Sequence, residues 1–301
     1  MDWNIGKVSV TTIFEQDLEG LVAIIPAAKR DAVRAIDWLA PDFADAEGNI
    51  DGVIQAFVIR AGGRLIVVDT CVGDDKDRRV LEAWHHAHTG FLDRFRAAGF
   101  DPAAVDIVLC THLHLDHVGW NTFWTGTHWA PTFPNARYLF ADVELAHWEA
   151  ERATLATIDT DPNDHHLDFL RDQRQTHADS VQPIIDAGLA DVVSTSHRIC
   201  DEVRLEPTPG HTPGHVSVVI ESDGALAVIT GDSFHHPCQM AHPEWSTSVD
   251  ADSALGITTR QAMLGRLAGT QGVLMGSHFA PPTAGRVVAD GAGYRLVSDK
   301  A

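Results

Sequence analysis

Cys110-Thr111-His112-Leu113-His114-Leu115-Asp116-His117-Val118-Gly119 follows directly on the apolar run Val105-Asp106-Ile107-Val108-Leu109, so three imidazoles and a carboxylate leave a buried strand end within six residues. In extended backbone, residues two apart project to the same side. His112 and His114 therefore share a side, Asp116 continues the row, and His117 turns away from it. One segment can feed two adjacent metal positions, His112 and His114 serving one, Asp116 and His117 the other. Neutral imidazole and carboxylate suit zinc and its neighbours manganese, iron and cobalt, and no thiolate is needed. A lone histidine is more often an ordinary polar residue than a ligand, but packing gives no reason to crowd four ligand-type side chains at a strand end. Among the eighteen histidines, the isolated His85, His86, His88, His147, His165, His166, His177 and His197 are expected to be ordinary polar residues of helix-like stretches.

Other strand ends supply the remaining candidates. Glu206-Pro207-Thr208-Pro209-Gly210-His211-Thr212-Pro213-Gly214-His215 is a loop stiffened by proline and glycine, presenting His211 before the strand Val216-Ser217-Val218-Val219-Ile220. Ala225-Leu226-Ala227-Val228-Ile229-Thr230-Gly231 ends in Asp232, and Gly272-Val273-Leu274-Met275-Gly276-Ser277 ends in His278. Each of these polar residues comes after an apolar run and a glycine that permits close backbone approach.

These motifs, in this order and led by Leu65-Ile66-Val67-Val68-Asp69-Thr70, resemble those of the metallo-β-lactamase fold superfamily of binuclear hydrolases over most of the chain. The resemblance implies an α/β protein of the four-layer αββα sandwich type. It places His112, His114 and His211 on a first divalent ion and Asp116, His117 and His278 on a second, with Asp232 bridging and Asp69 orienting the ligand loop. Two divalent ions, zinc first, would ready a water for attack on a carbonyl or phosphoryl centre, so no serine triad or thiol nucleophile is required. Asp116 would take a proton as the intermediate collapses.

Departures from the family pattern narrow the substrate. Asp232 stands where β-lactam-hydrolysing members with a cysteine in the second site have that thiolate, and His114 stands where diiron flavoproteins have glutamate. Only about two dozen residues follow His278, too few for the glutathione-binding domain of glyoxalase II-like thioesterases. A net charge of −20 without a Lys/Arg-rich run argues against polyanionic substrates, hence against nucleic acid as a partner. What remains resembles the branch of lactonases and methyl parathion hydrolase-like enzymes. In lactonases of this branch a tyrosine lies three residues past the bridging aspartate; here that position is His235. His235 is accordingly a candidate catalytic group, donating to an oxyanion or leaving group, with support of the metal site as the competing role. His236 is assigned to the supporting role. The expected function is opening of a lactone or cleavage of a small ester, with phosphotriester hydrolysis or a mononuclear iron sulfur dioxygenase as alternatives.

Trp120, Trp124 and Trp129, with Phe123 and Phe133, follow the metal motif in a stretch that reads as irregular and are expected to shape the substrate pocket. Trp38 and Phe133 fit a packed interior at least as well. Residues 1–50 form an N-terminal extension of a single domain spanning 1–301. Its segment Leu21 to Phe43 either folds over the entrance or joins two copies as a homodimer.

With 45% hydrophobic and 21% charged residues, the chain can bury a large core without disulfide staples. The four widely spaced cysteines, the lack of a basic-then-apolar start and the absence of a membrane-length apolar run point to a cytoplasmic protein acting on a small molecule, with no membrane partner. Ala61-Gly62-Gly63 reads as a hairpin turn and Asp77 to Ala98 as a helix interruptible at Gly90. Tyr138-Leu139-Phe140 reads as a strand, Val143 to Ala153 and Ala251 to Ala268 as helices, and Asp159 to Gln175 as an exposed helix or excursion. A second set of strands is expected from Asp191 to Gly231.

Overall fold

Gly62 and Gly63, at φ of 56° and 73°, adopt the left-handed backbone that a two-residue hairpin turn requires. They join the strands Val53–Ala61 and Arg64–Val68 in the antiparallel register Phe57↔Val68 to Ala61↔Arg64, as the sequence predicts. The computed structural model describes residues 1–18, 20–155 and 166–298. Their contacts gather in two compact units, one of Met1–Trp3, Ser9–Glu15 and Gln55–Ser194, the other of Asn4–Val8, Gln16–Ile54 and Thr195–Ala301. The N-terminal extension is thus shared between both.

The architecture is α/β, with two larger sheets and a small hairpin sheet. The seven-stranded sheet has the order Asp2–Ile5, Val8–Asp17, Val53–Ala61, Arg64–Val68, Ile107–Leu109, Arg137–Ala141, Ala190–Val193. The last four of these strands run parallel to one another. Parallel strands are covered on both faces and read as continuous apolar runs, which is why Ile66, Val67, Val68, Val108 and Phe140 are all without solvent exposure. Because Arg64–Val68 and Ile107–Leu109 are parallel, their carboxyl ends lie at one sheet edge. Asp69 and the histidine motif leave from that edge, with the Asp69 amide donating to the Leu109 carbonyl at 2.8 Å.

The six-stranded sheet of the second unit is Val203–Pro207, Val216–Ser222, Ala225–Ile229, Val273–Met275, Ala284–Asp290 and Gly293–Val297, neighbours in that order. Ala225–Ile229 and Val273–Met275 are parallel, which requires a crossover, and the helix Ser253–Leu267 supplies it. Asp252 caps that helix, accepting from the Leu255 amide at 2.9 Å, and the face Arg260, Met263, Leu264, Leu267 is buried. Val216–Ser222 is antiparallel to Ala225–Ile229, so the start of the former and the ends of the two parallel strands share an edge. His211, Asp232 and His278 all flank it. The core of this unit also takes in Leu21, Ile25, Leu39 and Phe43 of the extension, packed with Val219, Phe234, Leu264 and Phe279. These four residues of the extension are therefore interior, with Trp38 packed against them half-buried.

Several elements differ from the sequence prediction. Gly90, at φ 71°, starts the helix Phe91–Ala97, and residues 77–90 hold only the 3-10 turn Glu82–Trp84. Phe123, Trp124 and Trp129 lie on a regular hairpin, Thr122–Trp124 paired with Trp129–Pro131. Ala190–Val193 joins the first sheet, so the second set of strands begins at Val203. The expected excursion is a helix over His166–Thr176, while its earlier part and His165 lie outside the described residues.

Two loops of the first unit touch because Gly119 carries no side chain: a Cβ there would lie 1.7 Å from the Val72 carbonyl oxygen. Gly119 and Trp120 amides donate to the Cys71 and Thr70 carbonyls, and the Thr70 amide donates to the His117 carbonyl, at 2.7 to 2.8 Å. Buried Glu15 ties the same loops, accepting from the Val72 and Gly73 amides at 2.8 and 3.1 Å and from Trp120 Nε1 at 2.7 Å. Burial outweighs these bonds and pushes its carboxyl from 4.5 to about 7. A proton held more tightly in the fold stabilises fully below the unfolded pKa, and that stability is lost as pH rises through about 7. In denaturant titrations, the unfolding free energy of the parent minus that of Glu15→Gln is expected to fall by roughly 2–3 kcal/mol between pH 5 and 8; parallel pH profiles would refute this.

Candidate functional site

The Asp69 carboxylate, at a residue with φ 56°, accepts three hydrogen bonds. Oδ1 takes the Thr111 amide at 2.8 Å; Oδ2 takes the Thr111 hydroxyl and His117 Nδ1, both at 2.9 Å. Since the single hydroxyl proton of Thr111 goes to Asp69, the 3.1 Å contact between Thr111 Oγ1 and His112 Nδ1 is made by the Nδ1 proton. Both His112 and His117 therefore carry hydrogen on Nδ1 and a lone pair on Nε2. His112 Nε2 lies 3.0 Å from His114 Nδ1, and His117 Nε2 is 3.7 Å from Asp116 Oδ2. The three histidines are buried and Asp116 is partly exposed. The loop between them is fixed at Leu113, whose amide donates to Glu144 and whose carbonyl accepts from Gln173 Nε2, at 3.1 and 2.7 Å.

The second unit repeats this logic. His211 Nδ1 donates to Asp250 Oδ1 at 3.0 Å, and His278 Nδ1 donates to the Val53 carbonyl at 3.0 Å. Each ring then faces the Asp232 carboxylate with its Nε2 lone pair, His278 at 3.1 Å from Oδ1 and His211 at 3.4 Å from Oδ2. Acceptor facing acceptor at these distances repels unless a cation stands between them. The donor set fits divalent ions of the zinc type, and His211 with Asp232, His112 with His114 and Asp116 with His117 each bring potential ligand atoms within 4.8 Å. Burial alone would raise the Asp250 carboxyl, but the hydrogen bond from His211 Nδ1 holds it well below the usual carboxylate range.

His235 is fully buried, its Nε2 at 3.2 Å from Asp232 Oδ2. Its Nδ1 has no hydrogen-bond partner among the described residues. Burial pushes its pKa down, against the pull of Asp232, which favours a neutral ring. His236 is spent structurally: Nε2 donates to the Phe43 carbonyl at 2.8 Å and Nδ1 accepts from the Cys238 amide at 3.0 Å. Burial lowers its pKa to about 4. It anchors the extension beside the ligand-bearing loop.

Of the expected pocket tryptophans, Trp120 needs correction. Trp120 is 4% exposed, stacked on Phe91 at 5.7 Å and bonded to Glu15, so it is interior packing. Trp129 covers buried Lys76, whose Nζ sits 3.6 Å above the indole, while Trp124 is 42% exposed on the same hairpin. The aromatic rings against His114 are instead Trp148 and Phe169, at 5.4 and 5.6 Å. Phe133 is buried.

Several residues that hold the site escape a reading of the sequence. Asp250 lies in a polar turn without a motif. His215 accepts the Asp232 amide on Nε2 at 2.9 Å and donates from Nδ1 to the Thr208 carbonyl at 3.0 Å, so both its nitrogens are used. Arg260 donates to the Ser233 carbonyl at 2.7 Å and steadies the turn that carries Asp232. Of these, only His215 adjoins a visible motif.

Residues 50–263 match the family model of the metallo-beta-lactamase superfamily. In fold the chain is similar to AidC, a dizinc quorum-quenching lactonase solved with a product, at TM-score 0.78 and 21% identity over 100% of this chain and 97% of that one. It is also similar to AbOPH, a hydrolase of the beta-lactamase superfamily (TM-score 0.77, 23% identity, 100% and 98% covered). A probable metal-dependent hydrolase from Staphylococcus aureus is a third such structure (0.70, 19%, 99% and 100%). Among curated proteins, 65 residues are 42% identical to ribonuclease TTHA0252 of Thermus thermophilus, 22% of this chain and 12% of that protein.

Replacing Asp250 or Asp69 by asparagine leaves the backbone contacts but removes the acceptor-only oxygen that sets a ring's tautomer. Each variant is expected to bind zinc roughly 10–100-fold more weakly in chelator competition, with unfolding in EDTA little changed. Unaltered zinc affinity in both would show that tautomer control is not operating.

Proposed function

The chain belongs to the metallo-beta-lactamase superfamily and is a metal-dependent hydrolase of it; we propose that it opens a lactone or cleaves a small ester at a binuclear centre. In this reading His112, His114 and His211 hold one divalent ion, Asp116, His117 and His278 hold the other, and Asp232 serves both, with zinc the first candidate. The observation that carries it is the pair of Nε2 lone pairs of His211 and His278 aimed at the Asp232 carboxylate. When bound, such ions acidify a water and polarise the substrate carbonyl.

The chain's own residues do the rest. Asp69, Asp250 and Thr111 orient the rings. Asp116, partly exposed, takes up and returns a proton. His235 donates Nε2–H to Asp232 and keeps the Nδ1 lone pair, which accepts a proton rather than donating one. Trp148 and Phe169 offer an apolar wall for an acyl group. The likeness to a lactonase solved with a product supports this substrate class, and the net charge of −20 supports small molecules over nucleic acid.

Three buried free cysteines and one partly buried fit a cytoplasmic setting, and among the described residues no helix is long and apolar enough to cross a membrane. Within the segment Leu21 to Phe43, Leu21, Ile25, Leu39 and Phe43 are spent on the second unit's core, which favours packing within the chain over a homodimer contact for these side chains.

Protein stripped by chelator and restored with two equivalents of zinc is to be assayed on N-acyl homoserine lactones, aryl esters, phosphotriesters, persulfides and an RNA oligonucleotide. The expected result is lactone or ester turnover that vanishes on stripping and returns with zinc. Turnover confined to phosphotriesters, RNA or, with one iron, persulfide oxidation would overturn the reading. His235→Ala is expected to lower kcat about 10²–10⁴-fold with metal content intact, and unchanged turnover would remove His235 from the mechanism.

A further inference from the structure

Outside these clusters, Asp77, His85 and His86 each bring a potential ligand atom within 4.8 Å of the others. We propose that they form a second, peripheral binding site for a divalent transition ion, closing the loop from residue 75 to residue 87. The loop's neck is already drawn together: the His86 amide donates to the Lys76 carbonyl at 2.8 Å and the Asp75 amide to the Ala87 carbonyl at 3.1 Å. Asp77 stands on one side of that neck, His85 and His86 on the other.

Both sides are tied to packed neighbours. Next to Asp77, the buried Arg78 guanidinium grips Asp179 through two bonds of 2.9 and 2.8 Å, and the Arg79 and Val80 amides donate to Asp172 Oδ2 at 2.6 and 2.8 Å. On the opposite side Trp84 is buried. A ligand held this way loses little freedom on binding.

The chemistry of the donors points to a metal rather than to an ion pair alone. His86 Nδ1 donates to the Asp75 carbonyl at 3.1 Å, which leaves the Nε2 lone pair available, as in metal-bound histidines. His85 Nδ1 is shielded from solvent and makes no hydrogen bond, although Asp77 Oδ1 lies 3.2 Å away. Its approach to the carboxylate therefore lacks hydrogen-bond alignment. Arg79 Nε shares that oxygen at 3.2 Å and would yield it or keep it as a supporting donor. His86 has φ 48°, in the left-handed region where histidine, like asparagine and aspartate, is found more often than most residues. Two imidazoles and a carboxylate select zinc, nickel or copper(II) over calcium or magnesium.

The test compares the full chain with Asp77→Asn and His86→Asn. Asparagine tolerates positive φ at 86 and can still accept from Arg79 at 77, and the backbone bonds that draw the neck together remain in both variants. After equilibrium dialysis against saturating free zinc, wild type is expected to hold one zinc per chain more than either variant, by elemental analysis. Hydrolytic activity at limiting zinc is expected to be the same in all three. Equal zinc content would overturn the proposal, as would loss of the extra ion only together with a lowered melting temperature in EDTA. The difference between wild type and variants does not depend on how many ions the main centre holds, so failure here and failure of the catalytic reading are separately visible.

Discussion

Each of four buried histidines has its Nδ1 proton committed to an oxygen: His117 to Asp69, His112 to the Thr111 hydroxyl that Asp69 fixes, His211 to Asp250 and His278 to the Val53 carbonyl. That commitment is the constraint on which the site depends. It turns every Nε2 into an acceptor, and burial denies those acceptors water. The Asp232 carboxylate facing two of them adds negative charge where there is already electron density. Cations placed among these atoms would offset that repulsion, and metal binding by them would then be linked to folding stability.

The same constraint explains why neighbouring histidines differ in role. His215 and His236 are as buried as the others, yet each accepts a backbone amide on its remaining nitrogen. With both nitrogens spent they are struts, one under Asp232 and one against Phe43. His235 is the intermediate case, with one nitrogen on Asp232 and the other unpartnered among the described residues. Residue type does not distinguish these seven rings; the second nitrogen's partner does.

Elsewhere in the first unit, charge is buried as well. Arg78 and Lys76 both lie against Asp179, and burial lowers the Lys76 pKa to about 7 although Asp179 opposes the shift. Removing one member of such a group leaves an uncompensated charge and typically costs 3–5 kcal/mol, even where the intact group adds little net stability. Its service here is placement: it fixes the start of residues 77–90, which the sequence suggested were helical and which instead hold only the turn Glu82–Trp84 before the helix Phe91–Ala97.

What the sequence determined by itself was the set of apolar runs that become strands and the polar residues at their ends. Period, glycine and proline are local signals, so the hairpin at Gly62-Gly63, the crossover helix and the candidate ligands from His112 to His278 were legible without coordinates. The partners of those ligands were not. Asp250 reaches His211 from 39 positions away and Glu15 reaches Trp120 from 105, and no local pattern encodes which distant oxygen a ring will meet. The tertiary structure also decided which aromatics pack inside: Trp120 stacks on Phe91 while Trp148 and Phe169 sit against His114. Burial and hydrogen-bond pairing are properties of neighbours in space, and only the folded chain specifies who the neighbours are.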